Sequence, residues 1–178
     1  LGPVATRSNL IQIYERLINQ DAKHHLQAIR SAGQLYALML ARNTDEAWAP
    51  LDKPLKDLDR IQGAPSYLLM LYLLVRREAL GIDVTQLEEI ARLLVCFFVR
   101  RNLTDTPPTR DMTRLFMATI DKVAELSGAA VVTTIRDELL AVSASDETFR
   151  SKLEGAIYEE NAGVTRFVLC ALAEQSMT

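Results

Sequence analysis

Two cysteines, two histidines and a single tryptophan are all that the 178 residues carry of the side chains that most often build metal centres, disulfide frameworks and aromatic boxes. Cys96 and Cys170 each sit inside an apolar helical run, which predicts buried, reduced thiols rather than a disulfide scaffold or a metal site. A reducing, cytoplasmic setting follows from that reading. His24 and His25 are adjacent, so on a helix they point about 100° apart and cannot present two ligands to one metal as an i, i+4 pair does. Asp21, four residues before His25, reads as its surface hydrogen-bond partner. Glycine is scarce as well. The seven present are scattered and compose neither GxxxxGK nor GxGxxG, so no phosphate-cradling loop is expected.

Long hydrophobic runs are missing too. The longest, Tyr67 to Val75, stops well short of the roughly 18 residues that a membrane span needs, so no membrane partner is expected. Leu1-Gly2-Pro3-Val4 lacks the charged start and apolar stretch of a signal peptide, and the absence of an initiator Met predicts a piece of a larger protein. Neither sign of charge dominates. With 20 Lys and Arg against 23 Asp and Glu, a surface wholly devoted to nucleic acid is excluded, while a local basic patch is not.

What the chain has in abundance is apolar residues at helical spacing. A hydrophobic content of 49% over this length suffices for one domain with a real core and is too little for two. No segment alternates with turn dipeptides as a hairpin would, so the expected fold is all-α, one domain of eight to nine helices. The spacing predicts helices over 7–29, 33–42, 56–62, 66–80, 84–101, 109–127, 130–142, 146–156 and 163–175. A short turn is expected around Trp48 after the capping run Thr44-Asp45-Glu46, with Pro50 and Pro54 bounding the connection that follows. Gly63, Gly81 and Gly128 read as terminators, and Ser145 as a cap with Asp146 and Glu147 in the first turn. In the 84–101 helix, Leu87, Ile90, Ala91, Leu94, Phe97 and Phe98 form one stripe. Arg101 lands within that stripe while Arg100 points well away, so the two arginines cannot share one task.

No nucleophile elbow and no Cys–His partnership is visible. The carboxylate pairs Asp57/Asp59 and Glu88/Glu89 are separated by their helical spacing. No catalytic residue, metal ligand or cofactor is assigned. The single constellation of interest is Arg100, Arg101, Arg110 and Arg114, opposed only by Asp105 and Asp111. One reading is a phosphate-contacting patch at a helix junction, because guanidinium forks grip phosphate oxygens bidentately. The other is capping, since arginines in a last turn satisfy orphan carbonyls and favour the negative dipole end. Arg101 is read as structural together with Thr109, which caps the next helix. Arg100, Arg110 and Arg114 stand between capping and DNA-phosphate contact.

The run Phe98-Val99-Arg100-Arg101-Asn102-Leu103, with Thr109 and Leu115-Phe116 in the next helix, resembles the central helical region of GmrSD-type restriction endonucleases. These join an N-terminal ParB/sulfiredoxin-like NTPase domain to a C-terminal His-Me finger nuclease. Leu58-Asp59-Arg60-Ile61, Pro65 and Leu68-Leu69-Met70-Leu71 resemble the family's leucine-rich stretch, and Asp146-Glu147-Thr148-Phe149 and Arg166-Phe167-Val168-Leu169 with Leu172 its closing helices. The likeness spans about residues 36 to 174, and its specific part is the double arginine with its threonine. The family usually has a glycine where this chain has Asp105, and its nuclease motif begins beyond the last helix. The resemblance implies a helical scaffold that carries the nuclease, acts on DNA only through the parent protein and its flanking domains, and cuts nothing alone. The parent would degrade modified phage DNA, glucosylated or phosphorothioated. A helical protein–protein interaction module, recognisable by a large exposed apolar patch and unclustered arginines, is the alternative.

Overall fold

Helical periodicity is translated directly into the structure, a computed structural model that describes residues 8–40 and 46–176. Among the described residues there are nine α-helices and no strand: α1 (Leu10–Met39), α2 (Ala49–Arg60), α3 (Tyr67–Arg76), α4 (Val84–Thr104), α5 (Thr109–Val123), α6 (Ala129–Val142), α7 (Asp146–Leu153), α8 (Ile157–Glu160) and α9 (Ala162–Ser176). Single 3-10 turns precede α2 and α3. The expected all-α, single-domain fold is the fold observed. The predicted helix ends at Arg7 and Arg42, and Thr44 and Asp45 of the capping run, lie outside the described residues.

The centre is α4, against which α2, α3, α6, α7 and α9 all pack. Its start is fixed by a reciprocal cap: Asp83 Oδ1 accepts from the Gln86 amide at 2.8 Å while Gln86 Oε1 accepts from the Asp83 amide at 3.0 Å. The predicted stripe, Leu87, Ile90, Ala91, Leu94, Phe97 and Phe98, is buried along its whole length. Phe116 of α5 stacks on Phe98 with centroids 6.3 Å apart, and Phe97 meets Phe98 edge-on at 5.4 Å. Such pairs add about 0.5–1.5 kcal/mol each beyond their buried area. The helix continues one turn past Arg101, and Asp105 closes it in the left-handed region, φ 53° and ψ 29°.

Two expectations fail instructively. Pro50 and Pro54 do not bound a connection; both lie within α2, Pro50 in its first turn and Pro54 buried in its interior. The missing amide and ring clash at Pro54 cost up to about 3 kcal/mol. Full burial of Leu51, Leu55 and Leu58 on the same face, at about 1.5–3 kcal/mol each, outweighs that cost. The first helix does not end before Gly33 either. It runs to Met39 and is interrupted at Asp21, φ −160° and ψ 87°, whose Oδ1 accepts the backbone N–H of His24 at 3.0 Å. Asp21 therefore caps the second half of α1 instead of bonding the His25 ring, because a free N–H at a helix start is the stronger claimant on an Asp oxygen.

Two glycines with positive φ join distant turns. Gly81 and Gly128 both sit at φ 56°, and the Gly128 amide donates to the Leu80 carbonyl at 2.8 Å, tying the α3–α4 connection to the α5–α6 connection. Gly63 is required for a different reason. A Cβ there would stand 2.4 Å from Leu58 Cδ1 and 2.8 Å from the Leu58 carbonyl oxygen. Among the described residues no helix is long and apolar enough to cross a membrane.

Candidate functional site

Three consecutive residues at the end of α4 point in three directions, as about 100° per residue dictates. Arg100 reaches α7: Nη1 donates to the Ala144 carbonyl at 2.8 Å, Nη2 to Asp146 Oδ1 at 2.6 Å, and the guanidinium lies 4.9 Å from the Phe149 ring centre. Arg101 turns to α5. Its fork donates to the Pro107 carbonyl at 3.1 Å, Asp105 Oδ1 at 3.0 Å, Asn102 Oδ1 at 3.0 Å and Thr109 Oγ1 at 2.6 Å. Asn102 faces the end of α2, its Nδ2 donating to the Ile61 carbonyl at 2.5 Å. The joint thus fastens α2, α5 and α7 to α4.

Thr109 does not cap α5 as expected. Pro108 occupies the N-cap position with extended backbone, and Thr109 is the first helical residue, its hydroxyl accepting from Arg101. The other arginines do not gather into one patch of free guanidinium groups. Arg114 is exposed and bonds Asp111 at 2.8 Å, whereas Arg110 is exposed with no ion-pair partner among the described residues. Ser145 caps α7 as expected, accepting from the Thr148 amide at 3.1 Å.

Beside this joint, α2, α4, α7 and α9 line an open cleft of about 750 Å³ that the sequence reading does not anticipate. Apolar walls come from Val95, Val99, Phe149, Phe167, Val168 and Leu172, and its mouth carries Lys53, Arg60 and Arg92 with Asp57 and Glu174. The signal for it is a second stripe on α4, Arg92, Val95, Cys96, Val99 and Arg100 at i, i+3, i+4, i+7 and i+8, on the side away from the core. Both cysteines line this cavity and both are exposed, contrary to the expectation of buried thiols. Cys96 follows Leu87 by nine residues, which places it about 180° from the core stripe. Cys170 lies on α9, where Leu169 and Leu172 are also left uncovered.

Electrostatics at the mouth centres on one ion pair. Lys53 Nζ and Glu174 Oε2 are 2.9 Å apart, both well exposed. This hydrogen bond and the Lys53 charge hold the Glu174 carboxyl below the usual carboxylate range, opposed by desolvation and helped by Arg60. The same bond raises Lys53, opposed by burial and by the nearby Arg92. Elsewhere, burial beside Asp59 pushes the Tyr67 hydroxyl up to about 12. Among the described residues no three of His, Cys, Asp and Glu come together as a metal site, and no buried side-chain nitrogen or oxygen is left without a hydrogen-bond partner. Comparison with protein-family models, with curated proteins and with solved structures finds no match.

Proposed function

We propose that this chain is the helical body of a modification-dependent DNA endonuclease of the GmrSD type. It catalyses nothing itself and holds a His-Me finger nuclease in position relative to a ParB/sulfiredoxin-like NTPase domain, in the cytoplasm of a bacterium that defends itself against phage. The observation that supports this most is that the residues carrying the resemblance meet in one joint. Arg100 bonds Asp146 and lies over Phe149, and Arg101 bonds Thr109, so five of these residues, from α4, α5 and α7, pair off around the end of α4. Such a set has the form of a mechanical requirement: it fixes the angles between helices without offering reacting groups. Asp105 fits the same reading, because its positive φ is the conformation a glycine adopts at least cost.

DNA enters this proposal through the parent protein. Arg110 and Arg114 keep the exposure a phosphate contact needs, and such contacts position a duplex without reading its sequence. Arg100, committed to α7, takes a positioning role. A cell expressing the full gene is expected to restrict phages with glucosylated or phosphorothioated DNA, and Arg101→Ala is expected to abolish that restriction. A reading frame with no His-Asn-His segment beyond residue 178, or one that restricts no such phage, would overturn the proposal.

Two observations favour the alternative, an all-helical protein–protein interaction module: the arginines do not gather into one patch, and apolar side chains stand exposed on α1. The first half of α1 exposes Leu10, Ile11, Tyr14 and Ile18. In the endonuclease reading the same face is where a flanking domain rests.

A further inference from the structure

The cavity beside the joint is shaped for a ligand, and its mouth states the chemistry. At about 750 Å³ it falls within the range of roughly 300–1,000 Å³ typical of small-molecule sites, and its lining follows the usual plan of apolar walls with a few convergent polar groups. Three cations, Lys53, Arg60 and Arg92, face it from α2 and α4. Each has a carboxylate partner: Lys53 pairs with Glu174 across the cleft mouth, Arg60 lies 3.7 Å from Asp57, and Arg92 donates from Nε and Nη2 to Glu88 at 3.0 and 2.7 Å. Arg100 is turned instead to the start of α7, bonding the Ala144 carbonyl before it and Asp146 in its first turn, and forms part of the wall.

Glu174 shows what Lys53 binds at this mouth. Its carboxylate reaches from α9 to Lys53, within the field of Arg60, and so occupies the position an incoming carboxylate would take. Behind it the walls are hydrocarbon from Val95, Val99, Phe167 and Leu172. We propose that this cavity binds an amphipathic carboxylate, its apolar tail between α4 and α9 and its head group displacing Glu174 among Lys53, Arg60 and Arg92. This assignment is independent of the endonuclease reading.

Cys96 and Cys170 are built-in reporters, because both are exposed on the walls of the same cavity. The experiment measures their reaction with a neutral pyridyl disulfide, with decanoate, decanol or decyltrimethylammonium present below micellar concentrations. Saturating decanoate is expected to slow both thiols together by about tenfold, while decyltrimethylammonium leaves them unchanged. Glu174→Gln removes the internal competitor and is expected to tighten decanoate several-fold. Arg92→Glu is expected to weaken it by about tenfold, since it replaces an attraction with a repulsion at the mouth. Both side chains are at the surface, and an unchanged far-ultraviolet dichroism spectrum verifies the fold of each variant. Protection of neither thiol, or of only one, would overturn the site. Equal protection by the cationic amphiphile, or an affinity unaffected by Glu174→Gln and Arg92→Glu, would overturn its carboxylate chemistry.

Discussion

Truncating Arg101 to Ala removes four hydrogen bonds at once, and their surroundings set how much each is worth. The bond to Asp105 ends on a carboxylate that is 86% exposed, so it contributes about 0–1 kcal/mol. The bond to Asn102 joins chain neighbours and orders little that the helix does not already order. The bonds to the Pro107 carbonyl and the Thr109 hydroxyl differ in kind. They are charge-assisted, they cross from α4 to the start of α5, and they leave a guanidinium whose side chain is only 15% exposed. At about 1.5–3 kcal/mol each, and allowing for overlap between bonds from one fork, Arg101→Ala should cost about 3–4 kcal/mol. Against a typical domain stability of about 5–15 kcal/mol the variant still folds, with its melting temperature lowered by roughly 6–16 °C. Arg101→Lys keeps the charge and loses the planar fork, so it should recover less than half of the loss. Urea unfolding followed by circular dichroism measures both. A loss below about 1 kcal/mol for Ala, or a Lys variant as stable as the parent, would refute the view that the fork holds the junction.

Other positions give independent tests. Asp105→Gly relieves a left-handed residue of about 1 kcal/mol and forfeits only the weak Arg101 pair, so thermal unfolding should find it as stable as the parent or slightly more so. Asp105→Val should cost more than about 2 kcal/mol, and the reverse ranking would show that backbone strain does not govern this site. Gly63→Ala should cost about 1–3 kcal/mol, because the new methyl meets fully buried Leu58, and a neutral result in denaturant melts would mean that Leu58 moves freely. Tyr67 has its folded-state value raised to about 12 from an ordinary 10, so its contribution to stability is complete below pH 10 and is lost as pH rises through about 12. Tyr67→Phe should flatten the alkaline slope of stability, and an unchanged slope would assign that loss to other groups.

The helices were largely legible because most of them bury one face, and a buried face leaves a 3.6-residue trace in the sequence. Elements with no such face were harder. α8 buries nothing, and the expected helix over 146–156 contains the turn that precedes it. α2 was hidden by its prolines, whose local cost is outweighed by leucine burial that only the packed structure reveals. The division of labour between Arg100 and Arg101 was readable from their angular separation. Their partners were not, since Ala144 and Pro107 offer backbone carbonyls that no residue pattern records. The mouth of the cleft leaves no local trace, because the residues that meet there are far apart in the chain: Lys53 and Glu174 are separated by 121 positions.

The bond between the Gly128 amide and the Leu80 carbonyl bears on how the molecule breathes. Loops usually open first, each on its own and cheaply, and their amides lose protection long before those of the core. Here the turn after α3 cannot swing out without pulling on the turn before α6, because the Gly128 amide and the Leu80 carbonyl hold the two backbones together directly. The Gly128 amide should therefore exchange with solvent at the slow pace of the buried helices around it.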